Sequence, residues 1–194
     1  EHKGLAYELK MMSFSGGDLK TPEYSAINPR RKVPAILDDG FALYESAAIL
    51  EYLDEAHPAQ GSSLFPGDVR GRATVRRMVQ EADQYFATAM ERIVDQVLFT
   101  PQEKWNLDRI ARARTALAAE IERWEGAARG DWLAGTEPSA ADFTLYPLIA
   151  LTQRMQRRKP DLEVEAMLGP RMRSWMQRVE ALPYFRKTWP PHWT

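Results

Sequence analysis

The stretch of residues 32–51 constrains the fold more than any other part of the chain. Two short apolar runs, residues 35–37 and 41–44, flank the sequence Asp38-Asp39-Gly40. An Asp-Gly pair between apolar runs is a strong signal for a β-hairpin with a two-residue turn. Ser46 follows the second run and is a good N-cap, so the stretch predicts a strand, a turn, a strand and a helix in succession. A helix N-terminus beside strand ends is a ready site for a small anionic ligand.

The organisation of the chain changes after His57-Pro58. Residues 59–67 are rich in Gly, Ser and Pro, which is typical of a connector between domains. Beyond them apolar residues recur at helical spacing, and residues 69–98 are expected to form one long amphipathic helix. The segment from Asp142 is apolar on nearly all sides, as expected of a buried central helix. The sequence therefore predicts an α/β domain over residues 1–58, a linker over 59–67 and an all-helical domain over 68–194.

The composition narrows the classes of function. The net charge is −1 over 194 residues, which argues against a nucleic-acid or membrane partner held by bulk electrostatics. The chain has no cysteine, which excludes disulfides and thiolate metal sites within it and is compatible with a reducing cytoplasm. His2, His57 and His192 have no spacing that suggests a metal site. No apolar run approaches the roughly 18–20 residues of a membrane-spanning helix, so we expect a cytoplasmic protein without a metal.

Several motifs together resemble the cytosolic glutathione S-transferases, of a bacterial or omega-like type. The motifs are the loop 28–34 that ends in Val33-Pro34, the Glu45-Ser46 pair at the strand-to-helix junction, residues 131–135, and the capping-box pattern of residues 139–142. Each motif is weak alone, but the combination is specific and runs over nearly the whole chain. The resemblance implies an α/β thioredoxin-like N-terminal domain followed by an all-α helical-bundle C-terminal domain.

The resemblance also implies a glutathione site in the α/β domain, with glutathione as co-substrate. Val33, beside a cis Pro34, pairs its main chain with the tripeptide as in strand addition. Ser46 binds the γ-glutamyl carboxylate through its hydroxyl and backbone N–H, and Glu45 takes the γ-glutamyl ammonium group or helps to hold that end. Taken alone, these residues have ordinary explanations: an edge strand that begins with proline, a helix N-cap and a solvated carboxylate.

Three further residues are weaker candidates. Lys20 and Arg31 lie in loops where family members often place a partner for the glycyl carboxylate, although a solvated charge explains each of them equally well. Tyr85 lies on the long helix that should face the site, and it is a candidate for lining a hydrophobic substrate pocket. Aromatic residues at helical spacing are, however, usually part of a core.

The thiol-activating residue has no assignment in this chain. In the family the first strand carries the Tyr, Ser or Cys that activates the glutathione thiol, and residues 5–12 match the second strand. The family's sheet order places the first strand between the second and third, and each buried backbone group left unpaired without it costs about 1–3 kcal/mol. We therefore expect a preceding strand and helix of roughly 15–25 residues.

The resemblance implies an enzyme that transfers glutathione to an electrophilic, hydrophobic small molecule. Two alternatives stay open: a non-catalytic binding or interaction protein of the same fold, and a glutathione-dependent thiol-disulfide reductase if the activating residue is Cys. The resemblance also implies a homodimer in which the α/β half of one subunit packs on the helical half of the other. At that interface, three arginines near the start of the long helix could meet two acidic residues of the α/β half. The arginines are Arg72, Arg76 and Arg77, and the acidic residues are Asp54 and Glu55.

Overall fold

A computed structural model describes residues 1–128, 130–191 and 193 of the chain. His192, considered above as a metal ligand, lies outside the described residues. The chain divides into two compact units, Glu1–Leu64 and Phe65–Thr194. The first unit is called the α/β unit below and the second the helical unit, and each is described by itself.

The α/β unit contains a hairpin and a helix in the order that residues 32–51 predict. After a short 3₁₀ helix (Asp18–Lys20) come α1 (Pro22–Ile27), β1 (Ala35–Asp38), β2 (Phe41–Tyr44) and α2 (Ser46–Ala56). The two strands pair antiparallel, with Ala35 opposite Tyr44 and Asp38 opposite Phe41. Asp39 and Gly40 have φ angles of 46° and 87°, and positive φ at both central residues is what a two-residue type I′ turn requires. The predicted Asp-Gly hairpin is confirmed.

The prediction of a strand over residues 5–12 is wrong for this structure. That segment has no regular secondary structure, and the sheet among the described residues consists of β1 and β2. A strand is defined by its ladder of hydrogen bonds to a neighbour, so an extended apolar segment without such a neighbour does not become one. Tyr7, Leu9 and Met11 are all more than half exposed.

A buried ion pair closes the α/β unit. The Lys3 Nζ atom lies 3.0 Å from Asp54 Oδ1, and Lys3 is only 5% exposed. The Asp54 carboxylate also accepts hydrogen bonds from the Ser63 hydroxyl at 2.7 Å and from the Leu64 N–H at 2.7 Å. Gly61 makes this approach possible, because a Cβ there would lie 2.5 Å from the Lys3 Cα. One carboxylate therefore joins the start of the unit to its end.

Among its described residues the helical unit contains seven α-helices, and the long helix predicted at its start is interrupted. Residues 69–98, predicted as one helix, form α3 (Val69–Glu81), a five-residue π-helical segment (Ala82–Phe86) and α4 (Ala87–Val97). The remaining elements are α5 (Leu107–Ala127), α6 (Ala140–Gln156), α7 (Val164–Met167), α8 (Pro170–Glu180) and α9 (Phe185–Thr188), with 3₁₀ turns at Gln102–Lys104 and Pro160–Leu162. Ala82 and Phe86 are fully buried, and their spacing of four residues suits an α-helix and a π segment alike.

A buried carboxylate fixes the start of the central helix α6. Asp142 is fully buried and completes the capping box with Ser139 that the sequence predicts. It accepts the Ser139 N–H and hydroxyl at 2.8 Å each, the Leu133 N–H at 3.0 Å and the Trp175 Nε1–H at 2.7 Å. Burial raises the pKa of Asp142, against these four hydrogen bonds, which favour its charged form. One side chain thus joins α6, α8 and the loop before α6.

A second carboxylate caps the neighbouring helix α8. Glu125, near the end of α5, accepts the backbone N–H groups of Arg171 and Met172 at 3.0 and 2.9 Å. These are among the N–H groups that a helix leaves without an internal partner. A Cβ at Gly169 would lie 2.3 Å from the Glu125 Cδ, so the glycine gives the carboxylate its space.

Aromatic rings follow one another toward the C-terminus. Ring centroids are 5.4 Å apart between Tyr146 and Phe185, 5.6 Å between Phe185 and Trp189, and 5.6 Å between Trp189 and Trp193. Edge-to-face and tilted pairs of this kind are favourable because the ring edge carries positive and the face negative charge. Within the part of the chain that the structure describes, no helix is both long and apolar enough to cross a membrane.

Candidate functional site

The register of the hairpin brings the predicted glutathione residues to one place. Ala35 and Tyr44 are the outermost pair of the ladder. The residues just beyond that pair, Pro34 on one strand and Glu45 on the other, therefore lie at the same end of the hairpin. The Val33–Pro34 peptide bond is cis, the form that the resemblance implies, and Val33 is 43% exposed.

The prediction that Ser46 is the N-cap of α2 is wrong by one position. Glu45 occupies the N-cap position, and Ser46 is the first helical residue. Glu45 has φ 72°, a left-handed value that costs a non-glycine residue of order 1 kcal/mol or more. The Glu45 side chain makes no capping hydrogen bond to this helix, and both Glu45 and Ser46 are exposed. The first N–H groups of α2 are therefore available to an anion, together with the Ser46 hydroxyl.

An arginine that the sequence analysis missed contacts this end of the hairpin. The Arg30 Nε atom lies 4.0 Å from Glu45 Oε1, and both side chains are mostly exposed. The sequence signal is the run of three basic residues before Val33, of which the family resemblance points to Arg31. Arg31 itself is exposed, with φ 55°.

Two polar side chains hold the loop that leads into Val33, and neither was predicted. Tyr24 and Asn28 are buried, and both donate to the backbone carbonyl of Lys32, at 2.6 and 2.7 Å. The sequence offered no distinguishing signal for them, because a Tyr on a short helix and an Asn before a Pro read as ordinary core and turn residues.

The remaining candidates belong to other elements of the chain. Lys20 is the exposed last residue of the 3₁₀ helix before α1, and so belongs to a different loop from the end of the hairpin. Tyr85 belongs to the helical unit, where it is 60% exposed on the π-helical segment. The described residues contain no group of three or more His, Cys, Asp or Glu side chains that could hold a metal ion.

Comparison with family models gives two matches, one in each unit. Residues 1–56 match the glutathione S-transferase N-terminal domain, and residues 108–178 match the glutathione S-transferase C-terminal domain. The first match contains Val33, Glu45 and Ser46, and the second contains the Ser139–Asp142 capping box.

Individual relatives match this chain over most of their length, and two of the three described here are glutathione S-transferases. The chain is 30% identical to glutathione S-transferase D7 of Anopheles gambiae, with 91% of this chain and 76% of the relative covered. It is 26% identical to glutathione S-transferase A of Pleuronectes platessa, covering 100% and 84%. It is also 30% identical to the maleylacetoacetate isomerase of Mus musculus, covering 79% and 70%.

Solved structures agree with the fold. A theta-class glutathione S-transferase from Xanthomonas axonopodis pv. citri, with glutathione bound, is 26% identical with a TM-score of 0.79, over 95% of this chain and 85% of that chain. A glutathione transferase from Burkholderia graminis, with two glutathione molecules bound per subunit, is 24% identical with a TM-score of 0.83, over 95% and 77%. The fold is a thioredoxin-like N-terminal domain, here with part of its sheet, followed by an all-helical C-terminal domain, and the chain belongs to the glutathione S-transferase family.

Proposed function

We propose that the protein binds glutathione at the end of the β1–β2 hairpin and transfers it to a hydrophobic electrophile. The observation that carries the proposal is the placement of Val33-Pro34 and Glu45-Ser46 beside the same outermost strand pair. Family membership supports it, as do the relatives that were solved with glutathione bound.

Each end of the tripeptide has a suitable partner in this arrangement. The exposed backbone of Val33 pairs with the cysteinyl residue in the manner of an added strand. The γ-glutamyl carboxylate takes the Ser46 hydroxyl and the uncapped N–H groups of α2. Glu45 takes the γ-glutamyl ammonium group, with Arg30 as a neighbour 4.0 Å away. Arg31 and Lys20 are the candidates for the glycyl carboxylate.

The chemistry that follows is thiolate attack. A free thiol has a pKa of about 8.5, and each unit by which the protein lowers it requires about 1.4 kcal/mol of preferential thiolate stabilisation. The thiol proton passes to the activating group. The thiolate sulfur then forms a bond to the electrophilic carbon, and the leaving group departs with its electron pair. That activating group is not among the residues assigned here, whereas Tyr85 is the candidate contact for the hydrophobic substrate.

Calorimetric titration with glutathione tests the binding half of the proposal. Ser46→Ala removes a charge-assisted hydrogen bond and should weaken binding by about 1–3 kcal/mol, and Glu45→Ala should do the same by removing the ammonium partner. Glu23→Ala, which removes an exposed carboxylate from the first turn of α1, is the matched control and should bind as the wild type does. Unchanged affinity for glutathione in both site variants would contradict the assignment of Ser46 and Glu45 to the glutathione site.

A second candidate reaction is glutathione-dependent isomerisation. The chain is 33% identical to the probable maleylacetoacetate isomerase 2 of Drosophila melanogaster, over 78% of this chain and 66% of the relative. An isomerase regenerates glutathione at each turnover, whereas a transferase consumes it. Measuring free thiol during turnover of a cis-enone and of a halogenated aromatic electrophile separates the two, and reduction of a glutathione mixed disulfide would instead favour the reductase.

The proposal includes a cytoplasmic homodimer of bacterial or omega-like class. The omega-like assignment rests on the sequence resemblance, whereas the solved structures above are theta-class and bacterial. Asp54 is engaged by Lys3, Ser63 and Leu64 within its own unit, so Glu55 is the better partner for the arginines of α3. Sedimentation at micromolar concentration tests the dimer, and a monomer mass insensitive to glutathione would exclude it.

A further inference from the structure

The loop between α1 and β1 is closed by one buried side chain that uses both of its polar ends. Asn28, only 2% exposed, accepts the Arg30 N–H on its Oδ1 at 2.9 Å and donates from its Nδ2 to the Lys32 carbonyl at 2.7 Å. Its backbone carbonyl accepts the Arg31 N–H at 2.9 Å. The loop is therefore fastened at its beginning and at its end by the same residue.

A second buried donor reaches the same carbonyl. The Tyr24 hydroxyl, on α1, donates to the Lys32 carbonyl at 2.6 Å. Burial raises the pKa of Tyr24, against a lowering contribution from Asn28, so the phenol remains a donor at neutral pH. Both lone pairs of one carbonyl oxygen are thus occupied by side chains that reach it from the interior of the unit.

The direction of this carbonyl decides the direction of the next amide. The peptide bond between Lys32 and Val33 is planar, and in the trans form the Lys32 oxygen and the Val33 hydrogen point to opposite sides. When Tyr24 and Asn28 hold the oxygen inward, the Val33 N–H must point outward. Val33 is 43% exposed, and an N–H that points outward at such a position can pair with an extended peptide.

We propose that Tyr24 and Asn28 are positioning residues for glutathione, which aim the Val33 N–H at the tripeptide by fixing the Lys32 carbonyl. The inference rests on the proposed function, because it takes glutathione as the peptide that Val33 meets. Asn28 has a second task that Tyr24 lacks. By accepting the Arg30 N–H it also places Arg30, whose side chain reaches Glu45.

Two conservative variants separate these tasks. Tyr24→Phe removes only one donor to the Lys32 carbonyl. Asn28→Asp keeps an acceptor for the Arg30 N–H but replaces the second donor by a carboxylate oxygen, which repels the carbonyl. Ser63→Ala is the matched control, since it removes one hydrogen bond at the other end of the same unit, to Asp54.

The measurements are calorimetric affinity for glutathione, melting temperature, and KM for glutathione against kcat. We expect Tyr24→Phe to weaken glutathione binding about threefold to tenfold and Asn28→Asp about tenfold or more. The contact is made before and during the reaction, so KM for glutathione should rise while kcat stays close to that of the wild type. Ser63→Ala should lower the melting temperature without changing KM. A purely structural role would instead lower the active fraction, and with it the apparent kcat, at constant KM.

The outcomes separate the inference from the function beneath it. Failure of the wild type to bind glutathione would overturn the proposed function and the ligand named here. Binding by the wild type, together with unchanged KM and affinity in folded Tyr24→Phe and Asn28→Asp, would overturn the positioning role alone. If either variant fails to fold, the backbone amide signal of Val33 in the other decides: an unchanged chemical shift contradicts the role.

Discussion

The interactions that stabilise the interior of the helical unit differ in kind from those that stabilise the α/β unit. In the helical unit, large apolar side chains such as Trp175, Leu145 and Ile149 are excluded from solvent. In the α/β unit, the buried apolar side chains among the described residues are Leu19, Tyr24, Ile49 and Leu64. Its ends and loops are joined mainly by polar side chains: the pair of Lys3 with Asp54, and Tyr24 with Asn28 on the Lys32 carbonyl.

This difference indicates that the interactions in the two units serve different purposes. Apolar burial contributes most of the free energy of folding and is insensitive to direction, whereas hydrogen bonds fix where backbone groups point. The α/β unit carries the candidate site and is the unit where backbone direction matters. We therefore expect it to open at a lower free energy than the helical unit and to gain stability when glutathione binds.

The largest loss in the free energy of unfolding should come from a substitution in the apolar core of the helical unit. Leu145 is fully buried on α6, and Leu145→Ala should cost about 2–5 kcal/mol in the free energy of unfolding, from lost burial and the remaining cavity. Urea unfolding followed by tryptophan fluorescence measures it, since every tryptophan of the chain lies in the helical unit. Leu107→Ala, at a position 62% exposed, is the control, and a cost below that of the control would refute the apolar-core description.

A somewhat smaller loss of stability is expected when the polar contact between Glu125 and the start of α8 is removed from the helical unit. Glu125→Ala should cost about 1–3 kcal/mol, because two N–H groups of α8 lose their acceptor. Gly169→Ala should cost a similar amount, since its methyl group displaces the same carboxylate. The double variant should then be little worse than either single variant, which a double-mutant cycle measures. Additive costs would show that the two residues act independently.

A smaller effect should appear on acidification and should be confined to the α/β unit. Burial acts to raise the pKa of Asp54, but hydrogen bonds from Leu64, Ser63 and Lys3 outweigh it and lower the pKa from 3.8. A lowered pKa contributes stability that is present above the unfolded value and is lost as pH falls through the folded value, here below about pH 4. Asp54→Asn should cost about 1–2 kcal/mol at pH 6 and much less at pH 3.

Urea unfolding at the two pH values, followed by amide signals of residues 1–64, gives that comparison. Wild-type signals from the helical unit serve as the internal control. Equal acid sensitivity of the Asp54→Asn variant and the wild type would mean that the ion pair does not hold the unit closed.

The smallest effect should come from an exposed ion pair. Arg77 Nη1 lies 2.6 Å from Glu81 Oε1 along α3, with the two side chains 55% and 37% exposed. Such i,i+4 pairs contribute about 0.3–0.5 kcal/mol and weaken with salt. Arg77→Ala should therefore change the urea midpoint very little, and a loss comparable to that of Leu145→Ala would show that α3 relies on surface charge.

The sequence predicted those features that depend on neighbouring residues. The hairpin follows from Asp39-Gly40 between apolar runs, and the capping box follows from Ser139 and Asp142 at their fixed spacing. It also placed Val33, Glu45 and Ser46 near one another, because the ends of a hairpin must coincide. The resemblance supplied their roles, which the residue pattern alone did not.

The features that the sequence missed depend on contacts at a distance or on small backbone changes. Residues 5–12 have an apolar strand-like pattern, but strand formation depends on a neighbour that the pattern does not contain. The π-helical segment leaves the four-residue spacing of Ala82 and Phe86 intact, so periodicity does not reveal it. The convergence of Tyr24 and Asn28 on one carbonyl depends on the fold of the loop between them.

The aromatic rings near the C-terminus give this chain a spectroscopic property that can be measured in solution. The indoles of Trp189 and Trp193 are 5.6 Å apart and almost perpendicular, at 89°. At that separation their electronic transitions couple, so near-ultraviolet circular dichroism is sensitive to the mutual orientation of the two rings. The signal therefore reports whether Trp189 and Trp193 keep the arrangement that they have in the folded helical unit.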